Sequence, residues 1–193
     1  PPRSTLFPYT TLFRSEVRHE VRFSGFGGQG IILSAVILGR AAVMYDSLYA
    51  VQTQVYGPEA RGGASMSAVI IDDEPILYPK VTSPDIFVIM SQEGFEKYGA
   101  QAPEDATMLL DSSLVHSRPQ CRVIEIPATR EAKEKLGREI VANIVMLGAL
   151  VSATRVVTET AIEKAILDSV PKGTESLNLK AMKRGFELAR VVE

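Results

Sequence analysis

Seven residues, Ser24-Gly25-Phe26-Gly27-Gly28-Gln29-Gly30, constrain this chain more than any other stretch. Before them, Val21-Arg22-Phe23 alternates apolar and polar as a strand does. After them, Ile31 to Met44 is apolar on most sides and rich in Ala, Leu and Ile. Strand, glycine turn, helix is the economical reading. Glycines suit such a turn because they accept positive φ and let a backbone or a phosphate come close. The turn opens onto a helix N-terminus, where unpaired N–H groups and the helix dipole favour an anion. Gly25, Gly27 and Gly30 match the G-x-G-x-x-G spacing of dinucleotide-binding folds. A tight turn without a ligand would use the same residues.

A dinucleotide site needs an acid at the end of the next strand to hold the ribose hydroxyls. That strand reads as Ser47 to Val51 and ends in Gln52-Thr53-Gln54, two amides and a hydroxyl. Asp46 precedes it and is expected at the wrong end of the sheet. The missing acid counts against a dinucleotide. Next comes Tyr56-Gly57-Pro58-Glu59-Ala60-Arg61-Gly62-Gly63, a dense loop with one phenol, one acid and one base. Arg61, beside two glycines, can reach a phosphate or carboxylate unobstructed. Both glycine-rich loops are expected at the carboxyl edge of a parallel sheet, where they would form a crevice.

The remaining chain alternates strands and helices. Ala64 to Ile71 is a half-buried strand, Asp72 to Pro75 a turn, and Ile76-Leu77-Tyr78 a short return strand. Asp85 to Met90 is nearly all apolar, as in a strand covered on both faces. Ser91 is placed to cap a helix over Gln92 to Tyr98. Thr107 to Asp111 and Cys121 to Ile126 are further strands. Helices follow from Glu131 to Leu136, Glu139 to Thr154, Thr158 to Asp168 and Glu175 to Val192, with Pro171-Lys172-Gly173 as a break. The Glu139 to Thr154 helix is apolar nearly all round, so burial on several sides is expected, with a partner covering part of it. His19 and His116 have no acid or thiol near them in sequence and read as surface residues. The fold class is α/β, a three-layer α/β/α sandwich around a mostly parallel, Rossmann-like sheet with a helical C-terminal part.

Composition removes several function classes. Hydrophobic residues are 46% of the 193, enough for a layered core. Lys plus Arg total 21 and Asp plus Glu 23, so no charge excess draws the chain to nucleic acid or to an anionic membrane. Cys121 is the single cysteine and reads as a small core residue. One thiol cannot hold an iron–sulfur cluster or a structural zinc, and no metal site is expected. A reducing, cytoplasmic setting fits. Residues 1–15 (PPRSTLFPYTTLFRS) carry prolines and two Thr-Leu-Phe blocks without a period. They read as a translated cloning or sequencing remnant, or as a disordered natural tail, ahead of one domain over 16–193.

GFGGQG, QTQVYGPEARGG, the PKVTSPDIFVIMSQE block and the NIVMLGAL helix together resemble the gamma subunit of the 2-oxoacid:ferredoxin oxidoreductases, most closely that of the 2-oxoglutarate enzyme. The similarity runs from about Glu16 to the end. It implies an assembly that binds thiamine diphosphate with Mg, uses coenzyme A as co-substrate, and passes electrons through iron–sulfur clusters to ferredoxin. The net reaction is oxidative decarboxylation of a 2-oxoacid to an acyl-CoA. This chain lacks the Gly-Asp-Gly start of a thiamine-diphosphate metal motif and the cysteines for a cluster. Alpha and beta subunits, with delta where present, are expected to carry those groups, and the chain alone is expected to be inactive.

No catalytic residue is assigned. The expected contribution to the assembled site is Gly25, Gly27, Gly28, Gln29 and Gly30 with Tyr56, Glu59 and Arg61. The turn amides would steady a coenzyme A phosphate or a neighbouring acidic side chain, Arg61 the charge, and Gln29 an amide contact. The same loops could instead serve only as a subunit contact. Alternatives are the gamma-type subunit of the pyruvate, 2-oxoisovalerate or indolepyruvate enzyme, and, in another class, a stand-alone nucleotide-binding regulatory module.

Overall fold

The computed structural model describes residues 18–55 and 63–190. Tyr56, Glu59, Arg61 and the 1–15 tail lie outside the described residues. Six strands form one sheet: β1 (His19–Phe26), β2 (Tyr49–Val55), β3 (Ala64–Asp72), β4 (Ile86–Ile89), β5 (Thr107–Asp111) and β6 (Arg122–Ile126). Their order is β2-β3-β1-β4-β5-β6. β1, β4, β5 and β6 pair in parallel, whereas β3 runs antiparallel to both β1 and β2. β2 therefore points the same way as β1, and β3 is the one reversed strand.

The helices are α1 (Ile31–Tyr45), α2 (Gln92–Gly94, continuing as a π-helical turn Phe95–Gly99), α3 (Ala128–Glu134), α4 (Ala142–Thr154, entered through a 3-10 turn Glu139–Val141), α5 (Glu159–Ser169) and α6 (Glu175–Arg190). Strand side chains alternate between two faces. Val21, Phe23, Ile86, Val88 and Leu109 join the large core under α1 and α3 to α6. Phe87, Ile89, Met108 and Leu110 face the other side, with Phe95 and Val115 against them. β4 is thus apolar throughout because both its faces are covered, as its sequence implies. The three layers are unequal: α2 is the helix on the second face, and connecting segments cover the rest.

Ser91 caps α2 as expected, its Oγ accepting from the N–H of Gly94. Three expectations need correction. Ile76-Leu77-Tyr78 is not a strand; Leu77 and Tyr78 are 95% and 60% exposed, with no strand beside them to pair. α4 needs no partner for its apolar surface, since every residue from Ala142 to Val151 is buried within this chain. α6 lies unusually close to it: a Cβ on Gly148 would stand 2.2 Å from the Met182 carbonyl oxygen, and one on Gly185 only 2.0 Å from that of Val145. His19, finally, has an acid partner 66 residues away, Asp85, whose Oδ2 lies 2.7 Å from its Nδ1. The fold supplies what sequence neighbours do not. His116 is exposed, as expected.

Candidate functional site: a crevice at the carboxyl edge

The chain moves to one side of β1 to build β3 and β2, and to the other side to build β4, β5 and β6. At that switch point the carboxyl ends of β1 and β4 diverge into α1 and α2, which opens a crevice. The glycine turn forms its floor. Gly28 and Gly30 have φ of 96° and 76°, backbone that only glycine adopts without strain. Gly25 serves closeness, since a Cβ there would fall 2.5 Å from Gln29 Oε1 and 2.8 Å from Ile31. A Cβ on Gly30 would stand 2.4 Å from Asn143 Nδ2, an amide that donates to the Gly30 carbonyl at 3.3 Å. Gly27 and Gly28 are exposed and have open space where a Cβ would project. Two glycines shape the turn from within and two face outward.

Gln29 is a clasp. Its Oε1 accepts from the Phe26 N–H at 2.7 Å and its Nε2 donates to the Met90 carbonyl at 2.9 Å. The end of β1 is thereby tied to the end of β4. The first intrahelical bond of α1 runs from the Ser34 N–H to the Gly30 carbonyl. The N–H groups of Ile31, Ile32 and Leu33 have no intrahelical acceptor. Gly30 at the N-cap offers no side-chain acceptor to this end, and no acid lies in the first turn of α1. The positive end of the α1 dipole is therefore not neutralised by α1 itself.

The crevice encloses about 230 Å³ between Gly28, Gln29, Met90, Thr129, Glu139 and Ile140. Ile140, 66% exposed, separates it from a wider, mostly apolar groove of about 470 Å³ that Leu33, Arg138, Asn143, Leu177 and Asn178 line. Thr129, Glu139 and Ile140 were not picked out from sequence. Asp111 is what holds Thr129 in place. Its carboxylate, fully buried, accepts from the Thr129 N–H at 2.9 Å, the Thr129 hydroxyl at 2.5 Å and the Ser113 N–H at 3.0 Å. An acid that closes an apolar strand at the carboxyl edge was the available signal.

A dinucleotide fits this frame badly. β3 stands between β1 and β2, so the end of β2 lies two strand spacings, about 10 Å, from the glycine turn. Gln52, expected to follow the strand, lies in the middle of β2, which runs on past it, and its amide donates to the Ser67 hydroxyl at 2.7 Å. Asp46 is at the opposite end, as expected, where its carboxylate accepts from both the N–H and the hydroxyl of Thr158, each at 2.7 Å. Cys121 is half-buried against the second-face core, and burial pushes its thiol above the usual range. Among the described residues no three His, Cys, Asp or Glu side chains gather as a metal site, and no helix is long and apolar enough to cross a membrane.

Fold and site define the class: an open α/β domain with a crevice outside the carboxyl ends of its parallel strands. The family model for pyruvate ferredoxin/flavodoxin oxidoreductase matches residues 20–188. The chain is 56% identical over 181 residues to the 2-oxoglutarate synthase subunit KorC of Methanocaldococcus jannaschii, covering 92% of this chain and 97% of that one. The solved gamma subunit of a keto/oxoacid ferredoxin oxidoreductase from Geobacter sulfurreducens superposes with a TM-score of 0.81 at 46% identity, over 90% of this chain and 99% of that one. A 2-oxoglutarate:ferredoxin oxidoreductase from Magnetococcus marinus, solved with 2-oxoglutarate, coenzyme A and succinyl-CoA bound, shares the fold. Its TM-score is 0.79 at 22% identity, over 93% of this chain but 32% of that one. The chain belongs to the pyruvate ferredoxin/flavodoxin oxidoreductase family.

Proposed function

We propose that this chain is the gamma-type subunit of a 2-oxoglutarate:ferredoxin oxidoreductase, an enzyme that decarboxylates its 2-oxoacid oxidatively to an acyl-CoA and reduces ferredoxin. One observation carries the reading: 56% identity to a 2-oxoglutarate synthase subunit across nearly the full length of both chains. A pyruvate synthase subunit from Methanothermobacter marburgensis is 33% identical over 87% of this chain, which favours 2-oxoglutarate over pyruvate.

The residues of this chain do not fit the redox groups of such an enzyme. Cys121 is a lone, half-buried thiol, and no Gly-Asp-Gly occurs. Iron–sulfur clusters and thiamine diphosphate with Mg would then belong to partner subunits, alpha and beta with delta where present, which pass electrons to ferredoxin. The role of this chain is to bind and orient. The amino end of α1, which has no acid in its own first turn, the outward-facing Gly27 and Gly28, and the loop with Tyr56, Glu59 and Arg61 would steady an anionic group, of which a coenzyme A phosphate is the leading candidate. Gly25, Gln29 and Gly30 hold the turn in shape for that contact.

Co-purification from the native source, followed by assay with several 2-oxoacids and a viologen acceptor, tests the subunit reading. Sister subunits and preferred turnover of 2-oxoglutarate are expected. A free chain without partners, or one that reduces an acceptor alone, refutes it. For the loop, Arg61→Ala in the reconstituted complex should raise KM for coenzyme A. An unchanged KM with failed assembly would make the loop an interface.

A further inference from the structure

Two buried asparagines leave their acceptors unanswered in the groove beside the crevice. Asn143 and Asn178 are 4% and 6% exposed, and both line it. Each spends its amide nitrogen on the chain itself. Asn143 Nδ2 donates to the Gly30 carbonyl at 3.3 Å, and Asn178 Nδ2 to the carbonyl and the hydroxyl of Thr174 at 2.9 and 3.1 Å. Among the described residues nothing donates to either Oδ1, and neither oxygen is sealed inside the protein. A nearly buried carbonyl oxygen without a donor is costly, and an N–H group on a ligand would answer it.

The rest of the wall is mostly aliphatic, from Leu33, Ile140, Ile144, Val170 and Leu177. Among its described residues Arg138 is the one charge, and there is no acid. The crevice, by contrast, carries Glu139. At about 470 Å³ the groove falls in the range of small-molecule sites, roughly 300–1,000 Å³, and the crevice at about 230 Å³ does not. Gly30 and Leu33 set the amino end of α1 in the same wall, so a chain that leaves an anion bound at that end can run into the groove. A charged amine would bring a second cation beside Arg138 onto an apolar wall. An uncharged amide satisfies both oxygens without that cost.

We propose that this groove holds the uncharged, amide-bearing aliphatic arm of coenzyme A, with Asn143 Oδ1 and Asn178 Oδ1 accepting from its amide N–H groups. The inference rests on the subunit reading above and extends it from the phosphate to the arm. It is tested by steady-state kinetics of the complex reconstituted from this chain and its sister subunits. Two inhibitors probe the two halves of the co-substrate: S-methylpantetheine, whose blocked sulfur cannot be acylated, and adenosine 3′,5′-bisphosphate. Asn178→Leu should raise KM for coenzyme A about fivefold and weaken inhibition by S-methylpantetheine by a similar factor. KM for 2-oxoglutarate and inhibition by adenosine 3′,5′-bisphosphate should stay where they were. Leu33→Ser, on a side chain already 37% exposed, should act in the same direction. If S-methylpantetheine inhibits wild type and both variants equally, or inhibits none, the groove is overturned and the subunit reading stands. A wild-type complex that turns over without coenzyme A, or a chain that joins no sister subunits, overturns both. Should Asn178→Leu fail to fold, Leu33→Ser decides. Two folded variants that no longer assemble also overturn the proposal, because the groove would then be a subunit contact.

Discussion

The side-chain amide of Gln29 donates to the carbonyl of Met90 across 2.9 Å, and so locks the turn after β1 to the end of β4. The same amide accepts from the Phe26 N–H. The crevice keeps its shape through one residue with both a donor and an acceptor. Gln29→Ala removes both bonds and should lower stability by about 1–2 kcal/mol. Chemical denaturation measures that loss. Hydrogen exchange at the Phe26 amide should rise with it, and unchanged protection there would show that the clasp is not what holds the turn.

Gly27 offers a clean probe of ligand contact. It faces open space and has no positive φ, so Gly27→Ala should leave the melting temperature of the free chain where it was. In the assembled enzyme the added methyl intrudes where the turn would meet coenzyme A, so KM for coenzyme A should rise severalfold. Gly28→Ala differs: with φ of 96° it should cost about 1 kcal/mol in stability before any ligand is considered.

The crossing of α4 and α6 depends on two glycines that admit each other's backbone. Gly148→Ala or Gly185→Ala sets a methyl within 2.2 or 2.0 Å of a carbonyl oxygen and forces the helices apart. A loss of about 1–3 kcal/mol is expected by thermal or urea unfolding. Gly39 in α1 is the control. Its Cβ would meet Ala50 and Val69 at 3.9 Å, ordinary contact, so Gly39→Ala should stabilise by about 0.5–1 kcal/mol.

Asp111, fully buried, gathers three donors, two of them from Thr129. Asp111→Ala leaves those groups unanswered and should cost about 3 kcal/mol. The amide resonance of Thr129 should shift in the same variant, because the crevice wall it forms loses its anchor.

Alkaline stability follows from Tyr45. Its hydrogen bond to Asp168 raises the phenol above its ordinary value. The folded chain then holds this proton more tightly than the unfolded one. The stabilisation is complete below about pH 10 and is lost as pH climbs through the folded value. Tyr45→Phe should flatten the fall in melting temperature across that window. An equally steep fall in the variant would assign it to other groups.

Local pattern made much of this protein legible. Apolar runs located β4 and β5, and β5 holds its expected bounds, Thr107–Asp111. Ser91, Thr158 and Pro171 marked helix ends because capping and helix breaking act within a few residues. The glycine turn declared its own conformation for the same reason. Of the expected site, Gly25, Gly27, Gly28, Gln29 and Gly30 come together at one edge, but Gln29 works first on the chain itself, and Tyr56, Glu59 and Arg61 lie outside the described residues.

What sequence by itself determined is therefore whatever depends on near neighbours: the strand–turn–helix unit, the periodicity of each strand and the absence of thiols for a cluster. Tertiary structure alone decided which surfaces meet. It placed β3 between β1 and β2, brought Asp85 to His19, covered α4 with α6, and set Arg22 over the Phe87 ring. Periodicity states that a face is buried and is silent about what buries it, because the partner of each side chain is fixed by pairing and packing across dozens of residues.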